Sequence, residues 1–439
     1  MVKTFCSNII EAYTNCSKVL EIYTYGELVW PAGPMDTGYI KWYNPQSILS
    51  GYTFSMEGHT YSFDDYDGYF DGFHCIITKS AFVGCPLGSI TTNALYISNN
   101  AFAGSTFIPS ANLYRCVSIG SYAFWNCMLD RVFLPSCEYI GDYAFGTNLY
   151  PGYGANTLKS VSLPLCSYIG NYAFSGCRHL SSVYAPVCTF IGSEAFSGCS
   201  RLTSISFPSC ESIGYGAFRS CSTLTYAEFP ACTTIGSFPF ASCSALEVLS
   251  LPALRSMNNT VLAGCSSLKV VNLQSLMSFG GGTGNGTFAG NPNIESVDLA
   301  ACSYLGKDAC SYCSKLTYIN LPSCEYVGSY AFDHCYSLSS INLPVCSYVG
   351  SAAFNYCSSL TYVNLPVCSY IGSQAFQCNP SLTIILGSNS VCTGNNNMFK
   401  QELIIGFYGS ILVPSSLVND YKTAQYWSTY SSQIFPIPE

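Results

Sequence analysis

The residues best suited to chemistry in this chain are 26 cysteines and four histidines. Thiols in that number would serve nucleophilic catalysis, a disulfide scaffold or zinc binding, and each use demands its own spacing. Zinc ligands cluster, typically as C-x-x-C, and only Cys310-Ser311-Tyr312-Cys313 has that spacing. The histidines are His59, His74, His179 and His334, and none stands at a catalytic spacing from a nucleophile or carboxylate. His179 and His334 fall at variable positions expected on the surface. The acidic run at residues 63–72 could suggest calcium, but it lacks the alternating ligands and distal Glu of a helix-loop-helix site and reads as an exposed turn. The glycine run at residues 280–286 has no following Lys and Ser/Thr, so it is not a phosphate loop. No catalytic residue, cofactor site or metal site is expected, and the chain reads as a non-enzyme.

What positions the cysteines is a period. Leucine or isoleucine recurs 22 residues apart at Leu158, Leu180, Leu202, Leu224, Leu246 and Leu268, then at Ile294, Leu316, Leu338, Leu360 and Leu382. One unit, Leu360 to Phe376, reads L-x-x-V-x-L-P-x-C-x-x-I-G-x-x-A-F. Its Ala-Phe pair recurs from Ala81-Phe82 to Ala375-Phe376. Degenerate copies stand at Pro239-Phe240, Val261-Leu262, Thr287-Phe288 and Ala309-Cys310, which gives about fourteen coils. A single coil cannot bury its apolar positions, whereas stacked coils bury one continuous core. The alternation x-V-x-L predicts a short strand with Val363 and Leu365 inward and Tyr362 and Asn364 outward. Pro366 ends the strand, Gly372 is assigned to a turn that other residues resist, and Ala375-Phe376 fills the core on the far side. Strands pairing in parallel at roughly 4.8 Å make an array on the order of 65 Å long. The expected class is a mostly β repeat solenoid: parallel strands on a concave face, short strand or 3-10 segments opposite.

Two cysteine columns fit this frame. One follows the proline, as at Cys324, Cys346 and Cys368, and the other follows Ala-Phe, as at Cys313, Cys335 and Cys357. Leu254 and Leu276 replace cysteine in the first column, the exchange expected of a small buried apolar group and not of a bridged or metal-bound sulfur. The thiols are therefore expected to be free and structural, which favours a reducing or anaerobic setting.

The unit Leu343-Pro344-Val345-Cys346-Ser347-Tyr348-Val349-Gly350-Ser351-Ala352-Ala353-Phe354-Asn355-Tyr356-Cys357 resembles the BspA-like leucine-rich repeat family over roughly residues 75–400. The segment Ile411 to Lys422, followed by Trp427-Ser428-Thr429-Tyr430, resembles that family's ending. The resemblance implies a leucine-rich-repeat solenoid, a surface or secreted location in anaerobic, host-associated microbes, and adhesion to host proteins or other cells. It brings no shared catalytic residues. Three segments follow: an N-terminal β domain, cap or attachment piece at 1–74, the solenoid at 75–400, and a C-terminal cap at 401–439. Within the first, residues 19–31 read as a hairpin with Gly26 at the bend, similar to an opening segment of gut bacteriophage tail-associated proteins, so partners include phage tail proteins through residues 1–74. No signal peptide and no sorting motif are visible in the sequence, which leaves a bacterial surface or a phage virion as the expected location.

Charged residues are 9% of the chain, tyrosines number 35 and the net charge is −8, a balance that argues against nucleic acid. No run of 18 apolar residues exists, so no transmembrane helix is expected. Recognition then falls to the outward strand positions, rich in Ser, Tyr and Asn as antibody paratopes are. The candidate ligand-binding residues are Tyr184, Tyr226, Tyr318, Tyr362, Asn320, Asn342 and Asn364, with Tyr150 and Tyr153 in an insertion at residues 148–156. The expected partner is a host-surface protein or carbohydrate. The same columns also read as ladders that stabilise one another. A second aromatic column, Tyr139, Tyr168, Phe190, Tyr304, Tyr326, Tyr348 and Tyr370, reads either as sugar platforms or as half-buried ring stacks.

Overall fold

The computed structural model describes, in the main, residues 94–105, 108–147, 157–257, 261–278, 288–399 and 409–438, together with short stretches between residues 23 and 92. The chain divides into two compact units, Met1–Thr223 and Leu224–Glu439. Each is a parallel-strand β-solenoid, and between them they count about 14 turns with little helix, as the period requires.

In the first unit, strand Arg131–Phe133 pairs in parallel with Ser110–Leu113, setting Arg131 opposite Ser110 and Phe133 opposite Asn112. Ser160–Ser162 pairs the same way with Ser182–Tyr184. A second ladder of two-residue strands, Tyr139–Ile140, Tyr168–Ile169 and Phe190–Ile191, runs along another side of the coils. The segment before the repeats also contributes: Ile40–Trp42 pairs in parallel with Ile90–Thr92. Tyr23–Thr24 pairs antiparallel with Glu27–Leu28, the hairpin that the sequence indicates. The second unit repeats the plan. Val248–Ser250, Val270–Asn272, Ser296–Asp298 and Tyr318–Asn320 are successive parallel neighbours, and Tyr304–Leu305 to Tyr370–Ile371 form the short ladder.

The core follows the alternation. Val363, Leu365, Ala375 and Phe376 are buried, while Tyr362 and Asn364 face out. The phenylalanines stack ring on ring. In the first unit Phe102, Phe124, Phe145, Phe174, Phe196 and Phe218 follow one another at 4.9–5.4 Å. In the second, Phe332, Phe354, Phe376 and Phe399 do so at 5.0–5.6 Å. Offset stacking of this kind adds about 0.5–1.5 kcal/mol per pair beyond burial.

The structure corrects the reading of the glycines. Gly372 is not at a left-handed turn; a Cβ there would stand 2.5 Å from the Ser351 backbone nitrogen of the preceding coil. Gly192, Gly214 and Gly350 are equally crowded, so this column is glycine because successive coils approach too closely for a side chain. The left-handed backbone lies elsewhere, twice per coil, mostly on residues with side chains. One site precedes Ala-Phe, as at Tyr143 (φ 56°), Tyr172 (55°) and Ala352 (53°). The other follows it by two residues, as at Tyr312 (62°), His334 (61°) and Tyr356 (54°). Each costs about 1–2 kcal/mol against glycine's freedom. The rings so placed stack on their neighbours, Tyr122 on Tyr143 on Tyr172 at 4.6 and 4.5 Å, which offsets part of the cost.

After the last repeat, the helix Val418–Thr423 and the turn behind it close the core with buried Tyr421 and Trp427. The Cys392 backbone N–H donates to Tyr421 Oη at 2.8 Å, and Trp427 Nε1 donates to the Cys392 carbonyl at 2.7 Å. No helix among the described residues is long and apolar enough to cross a membrane.

Candidate binding face

The long strands present two outward residues per coil, and the sequence candidates fall on them as the alternation dictates. Tyr184 and Tyr318 are each 58% exposed, and Tyr226 and Tyr362 are exposed as well. Tyr184 belongs to the first unit, and within the second the coil of Ser340 separates Tyr318 from Tyr362. The amides are partly engaged with each other. Asn364 Nδ2 donates to Asn342 Oδ1 at 2.8 Å, Asn320 Nδ2 to Asp298 Oδ1 at 2.9 Å, and Gln274 Nε2 to Asp298 Oδ2 at 2.9 Å. Tyr150 and Tyr153, with the rest of the 148–156 insertion and the 280–286 glycine run, lie outside the described residues.

The second aromatic column resolves into ring stacks. Tyr139, Tyr168 and Phe190 stack at 4.9 and 4.8 Å, and Tyr304, Tyr326, Tyr348 and Tyr370 at 4.5–4.7 Å, all within 11° of parallel. Rings that cover each other's faces leave only edges and end faces for a sugar. Their phenols sit above the usual tyrosine pKa at Tyr139, Tyr168 and Tyr326, chiefly because partial burial penalises the phenolate.

One group of exposed residues escaped the sequence reading. Tyr114 and Phe133 meet edge to face, ring centroids 5.3 Å apart, and are 47% and 48% exposed. With Asn112, Arg131, Val132 and Ser160 they line a shallow depression on the strand face of the first unit. The signal was present in Arg131-Val132-Phe133-Leu134-Pro135, which matches x-V-x-L-P and puts Arg131 and Phe133 outward.

The family description "BspA type Leucine rich repeat region (6 copies)" matches residues 75–187, 139–269, 167–295 and 281–405. The chain belongs to the BspA-type leucine-rich repeat family. Among solved structures it is similar to a leucine-rich repeat protein from Bacteroides ovatus, at 22% identity over 91% of this chain and 92% of that one, with a TM-score of 0.51. It is also similar to a leucine-rich repeat protein from Eubacterium ventriosum (21% identity, 63% and 84% covered, TM-score 0.35) and to the pneumococcal vaccine antigen PcpA (17%, 79% and 85%, 0.32). At 22% identity the likeness to the Bacteroides ovatus protein shows the fold. A comparison with curated proteins gave no match.

In this BspA-type solenoid the thiols have a structural task finer than filling space. In the column after Ala-Phe, each Sγ donates to the Phe-position carbonyl of the preceding coil: Cys127 to Phe102 at 3.0 Å, Cys221 to Phe196 at 3.2 Å, Cys335 to Cys310 at 3.1 Å, Cys357 to Phe332 at 3.0 Å. Asn379, one period after Cys357, makes the same bond to Phe354 through Nδ2 at 2.7 Å. The column after the proline makes its short bond within its own coil, as Cys346 does to the Tyr348 carbonyl at 3.3 Å, and reaches the preceding coil at longer range, as Cys368 does to the Ser347 carbonyl at 3.8 Å. That difference explains why leucine appears in one column alone. Every described cysteine is a free thiol. Burial pushes Cys116, Cys127, Cys166, Cys265 and Cys324 up to about 12, far from a reactive thiolate. Among the described residues no three His, Cys, Asp or Glu side chains stand close enough to hold a metal.

His334 departs from the expected surface position. It is half-buried, packed between Tyr312 and Tyr356 at 4.5 and 4.8 Å, with Nδ1 2.8 Å from Asp333 Oδ2. Asn355 Nδ2 donates to the other Asp333 oxygen at 2.8 Å. His179 is half-buried too.

Proposed function

We propose that this chain is a non-enzymatic adhesion protein that recognises a host-surface protein or glycan through its long-strand face. The supporting observation is the composition of the long strands, where exposed Tyr184 in the first unit and Tyr226, Tyr318 and Tyr362 in the second stand among serines and asparagines on parallel strands. Aromatic area on a preordered backbone binds at little entropic cost. Residues 1–74 serve as the attachment segment, 75–400 as the recognition array and 401–439 as its cap. Display is on an anaerobic bacterial surface or on a phage virion, with tail proteins as partners of the first segment in the second case. The test exposes the whole chain to a glycan array and to host cells, beside a Tyr318→Ala/Tyr362→Ala variant. A specific ligand should be captured, and the variant should lose about tenfold or more in affinity with its melting temperature kept. Capture of nothing in either format overturns the reading.

The amide ladder from Asn342 to Asn364 favours a second reading, in which the array is a spacer and its face is spent on itself. Deleting residues 316–359, two coils, separates the two: a spacer keeps its assembly at altered length, whereas an adhesin loses affinity.

A further inference from the structure

We propose that the depression around Arg131 binds a carboxylated sugar ring. The inference rests on the binding-protein reading and names its ligand class. Tyr114 and Phe133 offer half-exposed ring surface, the partner that the flat C–H side of a pyranose requires. Between the strands, Asn112 and Ser160 supply polar groups to the same hollow for hydroxyls. Beside the rings stands Arg131, its side chain 85% exposed.

Charge selects the anion. The chain carries −8, yet Arg115 adjoins Tyr114, Arg131 lines the hollow and Lys159 adjoins Ser160. The nearby carboxylate, Asp130, is held by Lys159 Nζ at 2.8 Å and stands 3.6 Å from Arg131 Nε. The guanidinium is exposed to solvent, and its planar fork suits a carboxylate with two oxygens. Two cations, Lys159 and Arg131, beside the one carboxylate of Asp130 make a local positive field on an acidic protein. A neutral sugar would use the rings and waste the field. A sugar whose ring bears a carboxylate uses the rings, the amide and hydroxyl, and the arginine together. An acidic peptide shares the carboxylate but not the flat C–H face.

The experiment is isothermal titration of the full chain with an oligohexuronate, with the methyl ester of the same oligomer, with a sialyl-oligosaccharide and with an oligo-aspartate peptide. The ester removes only the charge. Binding of a carboxylated oligosaccharide is expected, at least tenfold weaker for the ester. Arg131→Gln and Phe133→Ala should each lower affinity about ten- to a hundredfold, and circular dichroism should confirm that both exposed substitutions leave the fold intact. The hexuronate and sialyl arms tell a polysaccharide source from a terminal host sugar. Equal binding of acid and ester, indifference to Arg131→Gln, or preference for the peptide overturns the proposal. A ligand lost in Tyr318→Ala/Tyr362→Ala but kept in Arg131→Gln would remove this inference and leave the adhesion reading standing.

Discussion

At the scale of single residues, two small side chains two positions apart have opposite jobs. Gly350 sits where a Cβ would lie 2.5 Å from the Ser329 nitrogen and 2.7 Å from the Gly328 carbonyl carbon. Backbone cannot swing aside as a flexible side chain can, so Gly350→Ala must push two coils apart and should cost about 3 kcal/mol or more. Ala352 is buried at φ 53°, where its own Cβ is the strained group. Ala352→Gly removes that strain, and the gain outweighs the added freedom of the unfolded chain, so it should stabilise by about 0.5–1 kcal/mol. Denaturant melts of the two variants decide the matter, and the same sign for both would contradict the assignment. Sequence reading saw glycine and inferred left-handed backbone. The real left-handed sites were hidden because glycine holds them in only some coils, as at Gly176 and Gly198, while Tyr, Glu, Gln and Ser, which rarely adopt that backbone, hold them in others.

At the scale of elements, the two cysteine columns predict different tolerances. Cys346 makes its short bond to the Tyr348 carbonyl of its own coil, and leucine already serves at the equivalent Leu254 and Leu276. Cys346→Leu should therefore change stability by less than about 1.5 kcal/mol. Cys335 gives the Cys310 carbonyl a second hydrogen bond across coils, beside the one from the Cys313 N–H at 3.2 Å, so Cys335→Leu removes that cross-coil bond and overfills the site, a loss of about 2 kcal/mol. Thermal melts that rank the two the other way would sink this distinction. The final strand offers a second test. Ile437 N–H donates inward to the Val413 carbonyl at 2.8 Å, and in a parallel pair alternate residues point their backbone groups to opposite sides. Pro436 and Pro438 thus occupy positions facing the strand's other edge, and neither has an N–H to offer. A Pro436→Val/Pro438→Val chain regains those donors and should sediment as larger species than the parent at equal concentration. Unchanged sedimentation across concentrations would show the edge to be protected by something else.

At the scale of the molecule, the solenoid was legible because many copies vote on one register, and outliers such as Val261-Leu262 still fall into it. The site around Tyr114, Arg131 and Phe133 was not, because it lies where the vote is weakest. From Phe124 to Phe145 is 21 residues and from Phe145 to Phe174 is 29, so the clean period starts only beyond it. The period also implies a property of the whole fold that no single coil shows. Thiols recur along both units and are held protonated by burial: Cys232 is pushed up to about 11, and Cys116, Cys127, Cys166, Cys265 and Cys324 to about 12. In the unfolded chain they titrate near 8.5–9. A raised folded pKa gives stability that is fully present below the unfolded value and is lost as pH climbs toward the folded one. Each thiol then removes about 1.4 kcal/mol per pH unit above about 9, and these six alone place three in each unit. A domain with about 5–15 kcal/mol of stability cannot absorb that for long. The melting temperature should be flat up to about pH 8 and fall steeply between about pH 9 and 11. Thiolate absorbance should rise together with the loss of ellipticity, in one cooperative step. Thiols that titrate near pH 8.5–9 while the fold persists would mean that the sulfurs are not sealed between the coils.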